Sequence, residues 1–405
     1  MAEPIPILRE HALDKGCRVD EHGRLLFPRA LVDLYDFARL GDRLEHLDTF
    51  SKVVVATDVA DHYAKDINEL YVCLAGTTKH LTLGCGDVRH LDGLQALLDM
   101  VAGGEGRFVS RPFASMSGCP IVSPLTYGVD NSEVCVAATR LNAPVSVVIA
   151  PQAGATAPAA LAGTLVQTTA ETLAGLLLVN LVKPGHPVSF GPWPFVSDLR
   201  TGAFSGGGGE EAVLSAAAAQ IAKFHDLPSS VGAGMTDSKL PDNQAGYEKG
   251  VTVALAALAG ANSVSETTGM LASLMACSFE AMVIDNDMLG IVQRALRGIE
   301  VSDETLSFDV IRDAVRGPGH FLGQPQTLAL METEFLYPKV ADRAAPGAWR
   351  DDGGHDMRDR ARERARALLA DHYPDYIDAT LDARIRERFP ILLPRAAMRP
   401  DRDRW

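Results

Sequence analysis

An eight-stranded (β/α) barrel with extra helices at both ends is the fold this sequence predicts, and three observations predict it. Short apolar runs alternate with longer helical patterns, the βαβα signature of a parallel sheet. Several of those runs are small or β-branched residues without polar alternation, as strands buried on both faces should be. Behind one of them, residues 230–234, the loop from Met235 to Asp242 gathers Asp237, Ser238, Lys239 and Asp242 just past the strand's carboxyl end, where a barrel keeps its chemistry. The chain's 405 residues suffice for one such barrel, which takes about 250 before insertions.

In chain order, residues 1–50 are charged and mainly helical, with one short strand candidate between Arg24 and Leu31. Candidate strands follow at 53–56, 81–85, 113–118, 145–150, 188–191, 230–234, 263–266 and 282–285, with helices such as 159–181 and 247–259 between them. Ahead of the sixth strand, Gly206 to Gly209 offer freely adopted φ angles, and Glu210 and Glu211 favour a helix N-terminus through the macrodipole. That helix runs to about His225, and Leu227-Pro228 stops it. Near the carboxyl terminus, a glycine-rich break at 351–354 precedes a helix at 357–371 dense in Arg, Asp and Glu. Opposite charges at helical spacing stabilise such a helix by roughly 0.2–0.5 kcal/mol per pair, and it reads as a solvated helix lying on the barrel. The domain plan is therefore a helical extension at 1–50, a barrel at 51–340 and a charged helical extension at 341–405. An open doubly wound sheet would share this alternation, but no Gly-x-Gly-x-x-Gly follows the first strand.

The net charge of −14, with no Lys/Arg cluster outside the carboxyl-terminal tail, argues against a nucleic-acid partner. Hydrophobic residues are 47% of the chain but never form an uninterrupted apolar run of membrane-spanning length, and charges come too early for a secretory signal, so a cytoplasmic protein is expected. Cys17, Cys73, Cys85, Cys119, Cys135 and Cys277 lack paired spacing and read as reduced core thiols. Zinc spacings, a Gly-x-Ser-x-Gly elbow and a Walker lysine are all missing, and Asp285-Asn286-Asp287 reads as a helix cap, so no bound metal is expected. On the barrel reading, His80, Ser117, Gln152, Trp193, Asp237, Glu266 and Asp285 stand at or just beyond strand ends and could converge.

Five short pieces in register carry a family resemblance: Ala75-Gly76-Thr77-Thr78-Lys79-His80, Ala150-Pro151-Gln152-Ala153-Gly154-Ala155-Thr156-Ala157-Pro158, Asp198-Leu199-Arg200-Thr201-Gly202-Ala203, Gly234-Met235-Thr236-Asp237-Ser238-Lys239 and Gly319-His320-Phe321-Leu322-Gly323. They lie in order within a stretch from about Leu44 to about Arg350, roughly three quarters of the chain, and on these pieces the chain resembles the trimethylamine methyltransferase family of corrinoid-dependent methylamine and betaine methyltransferases. The resemblance implies a barrel that passes a methyl group from an amine to cob(I)alamin on a separate small corrinoid protein, and a homo-oligomer. It departs from the family's trimethylamine enzymes in having only standard residues, where those carry pyrrolysine to capture the amine. Its pyrrolysine-free members act on betaines, so a quaternary amine such as glycine betaine is the implied substrate. A quaternary nitrogen already leaves as a neutral amine and cannot be held by hydrogen bonds, which makes positioning and cation–π contact the requirements.

Few aromatics are available for that contact, so Tyr127, Trp193, Phe195, Phe204 and Tyr247 stand out, Trp193 first because Pro192 and Pro194 flank it after a strand. Ordinary core packing is the competing account of each ring. With Gln152 and Glu266, the rings Tyr127, Trp193, Phe204 and Tyr247 form the expected substrate set. Asp237 and Lys239 are the expected catalytic pair, weighed against plain turn capping. His320, at its family position, joins them in a positioning role. His80, Ser238, Gln324 and Gln326 are assigned to corrinoid contact. A stretch is missing relative to the family between Phe27-Pro28-Arg29-Ala30-Leu31 and residues 34–47, and Gln326-Thr327 replaces a family histidine-threonine. Two further readings stay open: a small-molecule binding protein on the same barrel, and a barrel lyase if Asp237, Lys239 and Glu266 converge on a carbonyl.

Overall fold

The computed structural model describes residues 30–400, together with the backbone of a short antiparallel pairing of Arg18–Val19 with Leu25–Leu26. Cys17 and most of the Phe27 to Leu31 segment lie outside the described residues. The framework is mixed α/β. Strands β1 (Thr49–Ser51), β2 (His80–Leu83), β3 (Ala114–Gly118), β4 (Val145–Ile149) and β5 (Val188–Pro192) form a five-stranded parallel sheet in chain order, and β6 (Ser230–Gly232) and β7 (Ser263–Ser265) form a parallel pair. A bridge between Phe190 and Ser229 links the two pieces.

Each consecutive pair of strands is joined through a helix that lies against the sheet. The longest helix of each link, in order, is α1 (His62–Gly76), α2 (Leu91–Val101), α3 (Val129–Arg140), α4 (Leu161–Val182), α5 (Gly209–Phe224) and α6 (Asn243–Leu258). Asp61 and Asp242 cap α1 and α6 by accepting from backbone N–H groups three residues on, a side-chain cap worth about 1 kcal/mol. Helix α4 is long and apolar enough by composition to cross a membrane. It instead packs against β4 and β5, with Glu171 buried near its middle and accepting from Ser123 and Leu125.

The expected eighth strand at 282–285 is corrected. Those residues lie inside α7 (Phe279–Leu296), which Ser278 caps, because a short apolar run such as Met282-Val283-Ile284 suits a buried helix as well as a strand. The expected first strand at 53–56 is also displaced, to Thr49–Ser51. Among the described residues the ladder does not close: β1 and β7 have no partner on their outer edges.

A second correction concerns the strand faces. Phe50, Leu81, Leu83, Met116, Val147 and Phe190 point outward into the main core, while hydroxyl residues alternate with them on the other face. The strands therefore do alternate, with small polar groups inside. At the carboxyl end of the chain, α8 (Met357–Asp371) begins and ends where the sequence places it, and buries a stripe of Ala361, Ala365 and Leu369 in the same core. The thiols of Cys73 and Cys135 are buried, and burial pushes both up to about 12; Cys119 instead borders the cavity described next.

Candidate active site

One cavity of about 760 Å³ touches all seven parallel strands, which shows that the sheet curls around it. A (β/α) barrel of the usual kind fills this space with branched aliphatic side chains. Here the inward positions are Thr49 and Ser51, His80 and Thr82, Ser115 and Ser117, Ser146, Ser189, Ser230, Ser263 and Ser265, and the lumen stays hollow. Neighbouring strands tie these groups into the wall: Ser189 Oγ donates to Ser146 Oγ at 2.8 Å, His80 Nε2 lies 3.2 Å from Ser115 Oγ, and Ser230 and Ser265 meet at 3.2 Å. Burial holds the His80 imidazole below its usual pKa, which favours the neutral form.

Three larger side chains stand at the carboxyl ends of the strands around this lumen. Trp193 follows β5; its indole N–H donates to the Ser230 carbonyl at 3.0 Å, and its ring packs on the bare face of Gly232, where a Cβ would come within 3.0 Å of Cδ2. Phe195 packs tilted behind it, centroids 6.1 Å apart, and Phe204 meets Phe195 edge-on at 5.1 Å; Trp193 alone of the three borders the cavity. Lys52 follows β1 and is paired with Glu69 at 2.5 Å. Glu266 follows β7 with a backbone φ of 64°, a left-handed conformation that non-glycine residues rarely adopt and that gathers at functional sites. Burial raises the Glu266 carboxyl above the ordinary range, opposed by the nearby Lys249 ammonium. Lys52 and Glu266 are the charged residues of the lumen wall.

The other sequence-selected residues are placed elsewhere. Asp237 accepts from Ser205 Oγ, Gly206 N and Ser273 Oγ, at 2.6–2.8 Å, and so clamps three loops together without lining the lumen. Lys239 is exposed and donates to the Asp237 carbonyl, and Ser238 is buried on Asp242. Gln152 accepts from Ser197 Oγ beyond β4. Tyr127 sits on a surface hairpin and donates to the Ala174 carbonyl, and Tyr247 is exposed on the outer face of α6, so neither ring reaches Trp193. His320 is exposed, and Gln324 and Gln326 lie at a short helix, Gln326 donating to Ser307 Oγ. Of the four residues assigned to corrinoid contact, His80 lines the lumen and Ser238, Gln324 and Gln326 do not. Asp285 is not at a strand end but inside α7, where it receives Lys249 Nζ at 2.6 Å and Gly269 N at 2.7 Å. Sequence reasoning passed over Lys52, Lys249 and the ring of hydroxyls; the period-two serines of 115–117 and 263–265 were the signal for the last.

The glycine-rich turn plays a different part from the expected one. None of Gly206 to Gly209 has a positive φ; Gly207 is needed because a Cβ there would come within 2.7 Å of the Glu248 side chain. Nor does Glu211 act as a charge on a helix dipole. It is fully buried, neither carboxylate oxygen has a hydrogen-bond partner, and burial followed by the neighbouring Asp237 and Glu248 carboxylates pushes it up to about 9. The folded state thus keeps a proton that the unfolded chain releases near 4.5, so this group's contribution to stability falls as pH rises from about 4.5 to about 9. Glu211→Gln should melt with the wild type at pH 5 and above it at pH 8.5, as read by thermal denaturation; parallel curves at both pH values would show that Glu211 is ionised in the fold.

Residues 20–389 match the family described as trimethylamine methyltransferase (MTTB). The chain is 37% identical over 375 residues to trimethylamine methyltransferase MttB of Methanosarcina thermophila, covering 91% of this chain and 75% of that protein. It is 32% identical over 354 residues to MttB of Desulfitobacterium hafniense strain DSM 10664 / DCB-2, covering 87% and 70%. With the glycine betaine methyltransferase of Desulfitobacterium hafniense strain Y51 it shares 39% identity over 233 residues, 58% of this chain and 48% of that one. A match along nearly the whole chain, with the parallel βα order that the resemblance implied, makes this chain a member of the trimethylamine methyltransferase family.

Proposed function

We propose that the lumen holds a quaternary ammonium methyl donor of the glycine betaine type and presents one methyl to a corrinoid carried by a separate small protein. The observation that carries this reading is the charge pattern of the wall: one carboxylate and one ammonium, Glu266 and Lys52, with Trp193 among hydroxyl groups. A zwitterion complements it. Trp193 and Glu266 suit the trimethylammonium end through cation–π and charge attraction. Lys52, whose bond to Glu69 leaves other N–H groups free to donate, and the serine hydroxyls suit the carboxylate. The cavity is within the size range of small-molecule sites.

The chemistry asked of these residues is modest. The C–N bond breaks with its electron pair left on nitrogen, so the product is a neutral amine and no proton need be supplied. The corrinoid supplies the methyl acceptor, and this chain binds, orients and keeps water from the donor. A tertiary amine would need protonation or capture first, and the sequence has only standard residues to offer it. A lyase reading needed Asp237, Lys239 and Glu266 together, and only Glu266 lines the lumen. Exposed Val251, Leu255 and Leu258 along α6 support a homo-oligomer.

Calorimetric titration followed by addition of the reduced corrinoid protein tests the reading. Glycine betaine should bind and lose a methyl, while trimethylamine at neutral pH should do neither. Affinity should rise with pH until the Glu266 carboxyl, held above its ordinary range, is fully ionised. Glu266→Gln should weaken binding about tenfold or more and flatten that pH profile, since a close ion pair at an effective dielectric of ~20 is worth up to about 4 kcal/mol before desolvation. Preference for trimethylamine would overturn the leaving-group argument, and binding without demethylation would favour the binding-protein alternative.

A further inference from the structure

The lumen has a second opening. Between the unpaired edges of β7 and β1 lies a trough of about 450 Å³. Thr49, Ser51, Lys52, Ser263, Ser265 and Glu266 line both the lumen and the trough, so the two spaces are continuous along the open edges. Away from the edges the trough changes character: Val253 and Ala257 of α6, and Met282, Leu289, Val292 and Leu296 of α7, give it an aliphatic floor. Its far end lies between His46 and Gln293, whose side chains are hydrogen-bonded at 2.6 Å, and Leu296 there is 45% exposed. In a closed barrel, hydrogen-bonded neighbours about 4.8 Å apart leave no room for a ligand to pass through the wall.

A carboxylate at the junction of a polar lumen and an aliphatic trough matches a cation that carries a hydrocarbon arm. We infer that this chain takes quaternary ammonium donors with an extended alkyl arm, the ammonium group at Trp193 and Glu266 and the arm lying out between β7 and β1 over α6 and α7. The inference rests on the reading of the lumen as a quaternary ammonium site. It predicts that substrate length is read by the opening in the wall, separately from the headgroup.

The test is calorimetric titration of the full chain with n-alkyltrimethylammonium salts from methyl to octyl. Kd should fall about fourfold per methylene, the fold-change equivalent to ~0.8 kcal/mol per buried CH₂, and level off once the arm emerges past His46. Ala257→Trp, which fills the trough, should flatten the series toward the tetramethylammonium value. Leu296→Glu, at an exposed position that the fold tolerates, should cut the gain for the octyl arm several-fold while the melting temperature stays near that of the wild type. If neither glycine betaine nor any member of the series binds, the reading of the lumen falls and this inference with it. If all members bind with one affinity, or Ala257→Trp keeps the full slope, the trough alone is ruled out as the arm's path.

Discussion

Lys249→Met should cost the fold about 3–5 kcal/mol, the usual penalty for stranding one partner of a buried ion pair. Lys249 is 1% exposed and Asp285 4%, and their 2.6 Å contact joins α6 to α7 behind Glu266. Removing the ammonium leaves Asp285 inside a helix with only the Gly269 N–H as donor. Burial already raises the Asp285 carboxyl, with Lys249 holding it down. Without Lys249 it should rise further, so the loss should be larger at pH 8 than at pH 5, because the fold then holds a proton that the unfolded chain releases. Denaturant unfolding of the wild type, Lys249→Met and Lys249→Met/Asp285→Leu decides the matter. The double variant should recover much of the loss, since two apolar groups replace the pair without leaving a charge. A single variant no less stable than the double would show that the pair is not the cause.

Trp193→Ala should weaken glycine betaine binding by about 1–2 kcal/mol, the worth of a desolvated cation–π contact, and leave the protein folded. The ring is half-buried, borders the lumen, and is backed by Gly232 and Phe195. A tryptophan that served only the core would cost about 3–5 kcal/mol of stability on truncation. Trp193→Phe separates the two contributions of the side chain, because it keeps a ring against the lumen and loses the hydrogen bond to the Ser230 carbonyl. Affinity mostly retained in the phenylalanine variant and lost in the alanine variant, with similar melting temperatures, is the expected pattern. A collapsed melting temperature, or unchanged affinity in a folded alanine variant, would remove Trp193 from the site.

Much of this was legible in the order of residues. Helix 159–181 was predicted and Leu161–Val182 is found; helix 357–371 is found with the same bounds; six of the eight candidate strands overlap the parallel strands β2 to β7. Those features follow from local composition, since apolar runs, caps and breakers act over a few residues. Trp193 and Glu266 could be placed at the lumen because a strand end is also a local signal. Asp237 and Lys239 had the same signal, yet they serve the loops, because the hydroxyls that claim Asp237 come from Ser205 and Ser273, far away in sequence.

What only the tertiary structure decided is closure and depth. The run Met282-Val283-Ile284 has no period long enough to tell a strand from a helix, and its fate was settled by the Ser278 cap and by Asp285 finding Lys249 on α6. The serines at alternate strand positions look like neutral filler until all seven strands curl and turn them inward together. The sequence by itself determined the family, the parallel βα order and the carboxyl-end ring that holds Trp193 and Glu266. The curl of the sheet decided that the ring surrounds a hollow polar lumen, open at one side, because which groups face each other across a cavity depends on contacts between residues hundreds of positions apart.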